Sequence, residues 1–454
     1  MNLYHGIMMA IATLSFCQPT TKCHIKPGLV LARESKAVEI VAGSSPDKAG
    51  VTRCFVQFSK SSDFAQKVAS IISYDLSFTG QFKAKFAGVD ADVMQGASKP
   101  FFDKGVDLVI NLEPLASQDK ATCKIRVVAK QTWNDEVVAE RINLCSVQTP
   151  VGVAHELSNW LLTELTGKGG MCTSTLAWCE NSKIMMSDAA FQIRKTINAT
   201  TGTKCGLSWH TQAPVLFFSE AMGSKHELRQ MNVKTGLSGS CFSFPGLNMQ
   251  FSPSLDGKSG VLCMTTKQGN TELFLYDEKK KKKDDQFELT QLTHNGATNV
   301  SPCYLPNGNL VYCSDRGSGS PQLYYLNRST GKTVRISEGG YAACPSYCAK
   351  NNAVIFSRPV NQTLQLFYVS LDRIEKGKVS RAQQITFSAG DKTEPQWHEN
   401  GGFIAFVYDF VNKEKIRENQ IAVLNFLNGE IRCITSGPEK KGFPAWTARQ
   451  LCRA

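Results

Sequence analysis

The sequence has little histidine, the side chain used most often as general acid–base and metal ligand. Histidine occurs only seven times in 454 residues, scattered as His5, His24, His155, His210, His226, His294 and His398. There is no Cys-x-x-Cys, and no cysteine–histidine pair has zinc-ligand spacing, which argues against the common structural zinc sites. A Gly-x-Ser-x-Gly elbow, the turn that presents a hydrolase nucleophile, is also missing, as is any calcium-loop motif. The expectation is therefore no catalytic residue, no cofactor and no metal. His155 and Glu156, adjacent on a helical stretch, read as a surface pair. Beyond residues 7–16, no segment approaches the length of a transmembrane helix. That one apolar run has the length of a signal-peptide core, so residues 1–23 read as a probable signal peptide and the chain as exported, peripheral to membranes rather than spanning them.

Cysteine, by contrast, is plentiful: 16 in all, 14 of them beyond Cys23. Many fall inside strand-like runs, where a thiol is usually a small buried apolar group. An oxidising compartment would permit pairing of Cys303 with Cys313, or of Cys344 with Cys348, and the connectivity stays open. The net charge is +12. Part of it comes from the lysines at 279–283, which Asp284 and Asp285 follow directly, as in a solvated loop insertion. No platform of interleaved aromatic and basic residues accompanies them, so nucleic acid is not an expected partner.

What dominates the sequence is a repeat. The lines Pro253-Ser254-Leu255, Pro302-Cys303-Tyr304, Pro345-Ser346-Tyr347, Pro395-Gln396-Trp397 and Pro444-Ala445-Trp446 follow a degenerate first copy, Leu207-Ser208-Trp209. A period of about 40–50 residues is the mark of propellers and solenoids. Three further short runs follow most copies, rich in β-branched and aromatic residues and bounded by Gly, Asn and Asp, as in Leu310-Val311-Tyr312-Cys313 and Gln322-Leu323-Tyr324-Tyr325-Leu326. Such runs read as strands, and four antiparallel strands make one propeller blade. The ends of the array are complementary. Phe443-Pro444-Ala445-Trp446 is a first strand without successors, and the runs at 175–179, 183–187 and 192–196 are three strands without a first. Joined, they give a last blade shared by both ends of the array and a closed ring with no free sheet edge.

Residues 24–168 follow another pattern: a strand at 51–58, a helix from Ser62 to about Tyr74, a strand at 105–112, a hairpin over 123–145 and a helix at about 151–165. Ser61 or Ser62 can cap the first helix. The expected fold class is an α/β N-terminal domain followed, over 171–454, by a six-bladed β-propeller. The connectors entering the first strands (201–206, 248–252, 294–301, 339–343, 390–394 and 439–442) gather at one end of the channel, and binding usually resides in such loops. Candidate contact residues there are Met249, Gln250, His294, Asn299, Tyr341, Asp391, Lys392, Glu394, Lys440 and Lys441. Tyr341 is the favoured energetic anchor.

Several lines resemble the TolB family of the Tol-Pal cell-envelope system. These are Glu164-Leu165-Thr166-Gly167-Lys168-Gly169 followed by Leu176-Ala177-Trp178, the line Ser252-Pro253-Ser254-Leu255-Asp256-Gly257-Lys258, and Ser314-Asp315-Arg316-Gly317 with Pro321-Gln322-Leu323-Tyr324. The chain departs from the family pattern at Val300-Ser301-Pro302, in the lysine run, in its cysteine content, and in two blades that lack an Asp-Gly turn. The resemblance implies a periplasmic scaffold without catalysis that maintains outer-membrane integrity and aids constriction in cell division. It implies a peptidoglycan-associated lipoprotein (Pal-like) on one propeller face and a TolA-like inner-membrane protein on the N-terminal segment Val38-Glu39-Ile40-Val41-Ala42-Gly43. The competing readings are a prolyl-peptidase-like propeller and a quinoprotein or sugar-binding propeller.

Overall fold

The structure is a computed structural model that describes residues 51–90, 99–115, 122–146, 149–167, 169–189, 191, 193–198, 202–281, 287–317 and 319–452. The probable signal peptide, the segment Val38 to Gly43, and Lys282 and Lys283 of the lysine run lie outside the described residues.

The first unit is a five-stranded sheet. Its strands are β1 (Thr52–Ser59), β2 (Phe82–Val89), β3 (Leu108–Leu115), β4 (Thr122–Gln131) and β5 (Val137–Ser146), in the order β2-β1-β3-β4-β5. β1 is parallel to β2 and β3, and β3, β4 and β5 form an antiparallel meander. Helices α1 (Asp63–Phe78) and α3 (Pro150–Thr166) bury their apolar stripes against one sheet face, and α2 (Lys99–Phe102) is a single short turn. Ser62 caps α1, its Oγ accepting the Ala65 N–H at 3.1 Å. Pro150 opens α3, where an N–H would be unsatisfied in any case, and left-handed Gly167 closes it. β2 is missing from the sequence reading although Phe82, Ala84 and Phe86 alternate with Lys83 and Lys85, the pattern of an edge strand with one solvated face.

The second unit is a ring of six four-stranded antiparallel sheets. The inner strands of blades 1 to 6 are Thr203–Trp209, Asn248–Pro253, Asn299–Tyr304, Ala343–Cys348, Asp391–Trp397 and Lys441–Thr447. Blade 6 is built from both ends of the array: its inner strand pairs with Thr175–Glu180, which pairs in turn with Lys183–Asp188 and then Arg194–Asn198. The outer strand of blade 1, Ser238–Phe242, carries Gly and Ser and gives almost no apolar signal in the sequence. Large side chains wedge the blades apart and fill the gaps, as Trp178, Phe406 and Tyr312 do, each fully buried.

The thiol pairings considered from sequence do not form. A bulge at the start of blade 3 puts Cys303 opposite Val311 and Val300 opposite Cys313. Cys303 then donates to the Pro345 carbonyl, Cys313 to that of Ala342, and Cys348 to that of His398.

Strand direction fixes which end faces which neighbour. Inner strands run away from the connectors that enter them, so the inner turns and the third-to-fourth-strand turns lie at the far end of the channel. The N-terminal unit docks there, on blades 5 and 6. Phe78 at the end of α1 inserts between Phe403 and Phe191, with ring centroids 5.9 and 5.8 Å away. The Asn425 amide donates to the Thr79 carbonyl. His155 corrects the expectation of a surface pair: it is fully buried, its Nδ1 2.8 Å from Asp75 of α1 and its Nε2 3.1 Å from Asp188 of blade 6. One imidazole thus ties both units together. Burial by itself lowers its pKa, but the two carboxylates outweigh it and raise the pKa to about 9.

The sign of the pH dependence follows. A histidine whose folded pKa is raised stabilises fully below its unfolded value near 6.5 and loses that contribution as pH rises through 9. Unfolding free energy, followed by urea denaturation, should fall by roughly 3 kcal/mol between pH 6.5 and 10 from this group. NMR titration should place the His155 ring near 9; a ring titrating at an ordinary value would contradict the two-carboxylate geometry.

Candidate functional site

Every inner strand opens with the same irregularity. One residue per blade is left-handed, namely Gly206, Gln250, Ser301, Cys344, Glu394 and Phe443, with φ between 51° and 60°. At each of them the ladder to the second strand shifts register. This is a bulge, a device that re-aims side chains. Five of the six are not glycine, and such a residue costs about 1–2 kcal/mol in this conformation. The six together form a ring around the mouth of the channel, where a cavity of about 220 Å³ is lined by all six blades.

In five of the six blades, the side chain two residues before the bulge closes the incoming connector. Lys204 donates to the carbonyls of Ser182 and Gly202 at 2.6 and 2.9 Å, and Asn248 to that of Phe244 at 2.7 Å. Asn299 donates to the Ala297 carbonyl at 3.2 Å and to Glu272 at 2.9 Å. Lys392 donates to the carbonyls of Ser388, Ala389 and Gly390, and Lys441 to those of Gly437 and Glu439. In blade 4 the position is Ala342. Candidates Asn299, Lys392 and Lys441 are therefore buried and engaged with their own connectors, and Met249 is buried in the core. Burial holds the Lys392 ammonium down to about 8 and also lowers that of Lys441. The sequence suggested free ammonium groups; the physical reason they are not free is that turn carbonyls facing inward need donors.

The other candidates divide into two groups. Gln250 and Glu394 face the cavity. His294 and Lys440 are exposed, Asp391 accepts the Leu364 N–H at 2.8 Å, and Tyr341 is half-buried against the blade 3–4 core, which raises its phenol pKa. Sequence reading missed Phe244 and Phe387, exposed by 43% and 58% on connectors at the same end. It also missed exposed Met222, Val411 and Ile416, which lie on or beside the second-to-third-strand turns there. An aromatic residue inside a polar turn was the available signal.

Side chains of the ring stitch neighbouring blades. Gln250 Oε1 accepts the Ser301 N–H at 2.8 Å, and Glu394 Oε2 accepts the Phe443 N–H at 2.5 Å. The Ser252 and Ser346 hydroxyls accept from Tyr304 and Trp397 at 2.9 and 3.0 Å. Trp209 Nε1 donates to the Ala445 carbonyl at 3.0 Å across the closing junction. Among the described lining residues, Glu394 is the single carboxylate and there is no histidine. Burial raises the Glu394 carboxyl to about 7, with the Phe443 N–H and the charge of Lys440 acting against that rise.

Comparison with known proteins gives a consistent result. The family described as TolB beta propeller domain matches residues 163–381. The chain is 23% identical to the Tol-Pal system protein TolB of Francisella tularensis subsp. tularensis over 318 residues, 66% of this chain and 71% of that protein. It is 24% identical to a TolB homolog of Chlorobaculum tepidum over 122 residues, 26% of this chain and 27% of that protein. The crystal structure of TolB from Acinetobacter baumannii superposes with a TM-score of 0.75 at 18% identity, covering 88% of this chain and 97% of that one. The chain is TolB-like in sequence, and its α/β unit and six-bladed propeller are a TolB-like fold.

Because the folded pKa of Glu394 lies above the unfolded value, stability is gained with the proton on and lost as pH rises from about 4.5 through 7. Glu394→Gln should therefore raise Tm at pH 8, with the gain shrinking at pH 5. Calorimetry showing a lower Tm for the variant at pH 8 would contradict the burial of this carboxyl.

Proposed function

We propose that this TolB-like chain is a non-catalytic scaffold of the Tol-Pal type, exported to the periplasm. In this reading the mouth of its propeller binds a peptidoglycan-associated lipoprotein. The segment Val38 to Gly43 pairs by strand addition with a TolA-like protein of the inner membrane. By holding both, the chain links the outer membrane and peptidoglycan to the inner membrane and supports envelope constriction in division.

The observation that carries the reading is the asymmetry of the ring. At the far end of the channel the N-terminal unit covers blades 5 and 6 through Phe78 and His155. The mouth presents exposed Phe244, Phe387, His294 and Lys440 on connectors held rigid by buried Lys and Asn side chains. Exposed aromatic residues on a preorganised frame are the usual anchors of a protein interface. A cavity whose lining is mostly serine, glutamine, proline and aromatic residues, with Glu394 as its one carboxylate, supports recognition of a peptide surface. The relatives carry the names of Tol-Pal components, in line with this assignment.

Titration calorimetry of the purified chain against the soluble domain of a peptidoglycan-associated lipoprotein tests it. Phe387→Ala and Tyr341→Ala should each weaken binding about tenfold or more, equivalent to about 1.4 kcal/mol. Leu255→Ala, exposed at the far end, should leave it unchanged. Equal binding by all variants would discard the mouth as the interface, and no binding by the wild-type chain would discard the scaffold reading.

A further inference from the structure

The N-terminal sheet brings two cysteines together near its edge. β4 and β5 are antiparallel, and Cys123 stands directly opposite Cys145 in their ladder. Their sulfurs lie 3.8 Å apart, and Cys145 Sγ also approaches the Cys123 carbonyl at 3.4 Å. Directly opposed cross-strand residues have Cβ atoms about 4.5–5.5 Å apart, slightly more than a disulfide spans. Closing the bond needs rotation about the two side chains and a small approach of the strands, with no change of register. The thiols at 303, 313 and 348 reach the carbonyls of Pro345, Ala342 and His398 rather than another cysteine sulfur.

We propose that Cys123 and Cys145 are a disulfide site, closed by exchange with an oxidising dithiol–disulfide protein. The in-cell half of this inference rests on the export proposed above. Cys123 is the more accessible of the two, so its thiolate attacks the oxidant's disulfide, forming a mixed disulfide and releasing one oxidant thiolate. The Cys145 thiolate then attacks Cys123 Sγ, forming the intramolecular bond and releasing the second. Two protons and two electrons leave the chain, and the oxidant ends as a dithiol. Burial pushes the Cys145 thiol up to about 12, with Cys123 adding to the rise, so the attack by Cys145 is the slower of the two exchange steps. The bond has a structural consequence. β5 ends at Ser146 and α3 begins at Pro150, so the pair pins the chain just ahead of the helix whose His155 holds the two units together.

Peptide mapping of the purified full chain after incubation with glutathione disulfide tests the site. The expected result is a cross-linked pair of peptides carrying Cys123 and Cys145, lighter by two hydrogens. It should be absent in Cys123→Ser, retained in Cys303→Ser, and accompanied by a Tm several degrees above that of the reduced chain. A folded chain that leaves both thiols free, or that joins either to another cysteine, overturns the proposal. Thiol trapping in cells separates the two readings. A closed pair supports both, whereas an open pair in cells that closes with glutathione disulfide supports the site and counts against export.

Discussion

The pairing on which the rest of this structure depends is the one between the two ends of the propeller array. Ala445 lies opposite Ala177 and Trp446 opposite Leu176, so a strand from the C-terminal end completes a blade whose other three strands precede all the rest. Without it, blade 6 would keep three strands with the edge of Thr175–Glu180 unpaired, and an open sheet edge invites pairing with other chains. With it, the angle between blades is fixed, and so is the radius of the ring. The six left-handed residues are then brought close enough for Gln250 to reach Ser301 and Glu394 to reach Phe443. The mouth is a product of closure rather than of any one blade.

The same pairing places the docking point of the N-terminal unit. The cluster around Phe78 includes Leu176 and Trp446 from the closing blade and Phe403 and Val423 from blade 5. Asp188, the acceptor of His155, ends a strand of the shared blade. The α/β unit therefore rests on the seam where the ring closes, so that loosening of the seam and loosening of the unit are energetically linked. A buried charge with two carboxylate partners is costly to break because any one group left alone would be desolvated without compensation.

How legible all this was varied with the physics involved. The ring could be read because Trp209, Tyr304, Tyr347, Trp397 and Trp446 recur at the same place, three residues after the left-handed position, in five of the six blades (blade 2 has Pro253 there, and Leu255 is exposed), and because the end fragments complement each other. Gln250 and Glu394 were candidates by their place after the connectors, but their left-handed geometry and that of Ser301 had no sequence signal, since none of them is glycine. Lys392 and Lys441 looked like surface contacts because lysine usually is one. Their burial depends on three-dimensional turns whose carbonyls point inward. His155 looked exposed beside Glu156, yet its partners Asp75 and Asp188 lie 80 and 33 residues away in sequence, beyond any local pattern. The facing of Cys123 by Cys145 required the register of a hairpin, which a turn at about 134–135 suggests but does not fix to one residue.

The central claim is that the two ends of the channel have different tasks, one holding the N-terminal unit and the other a partner. Hydrogen-exchange mass spectrometry of the full chain, with and without a saturating peptidoglycan-associated lipoprotein domain, addresses it most directly. The account predicts new protection in the connectors around 243–248, 294–299, 339–343 and 386–391. Protection confined to the far-end turns or to the α/β unit would contradict it.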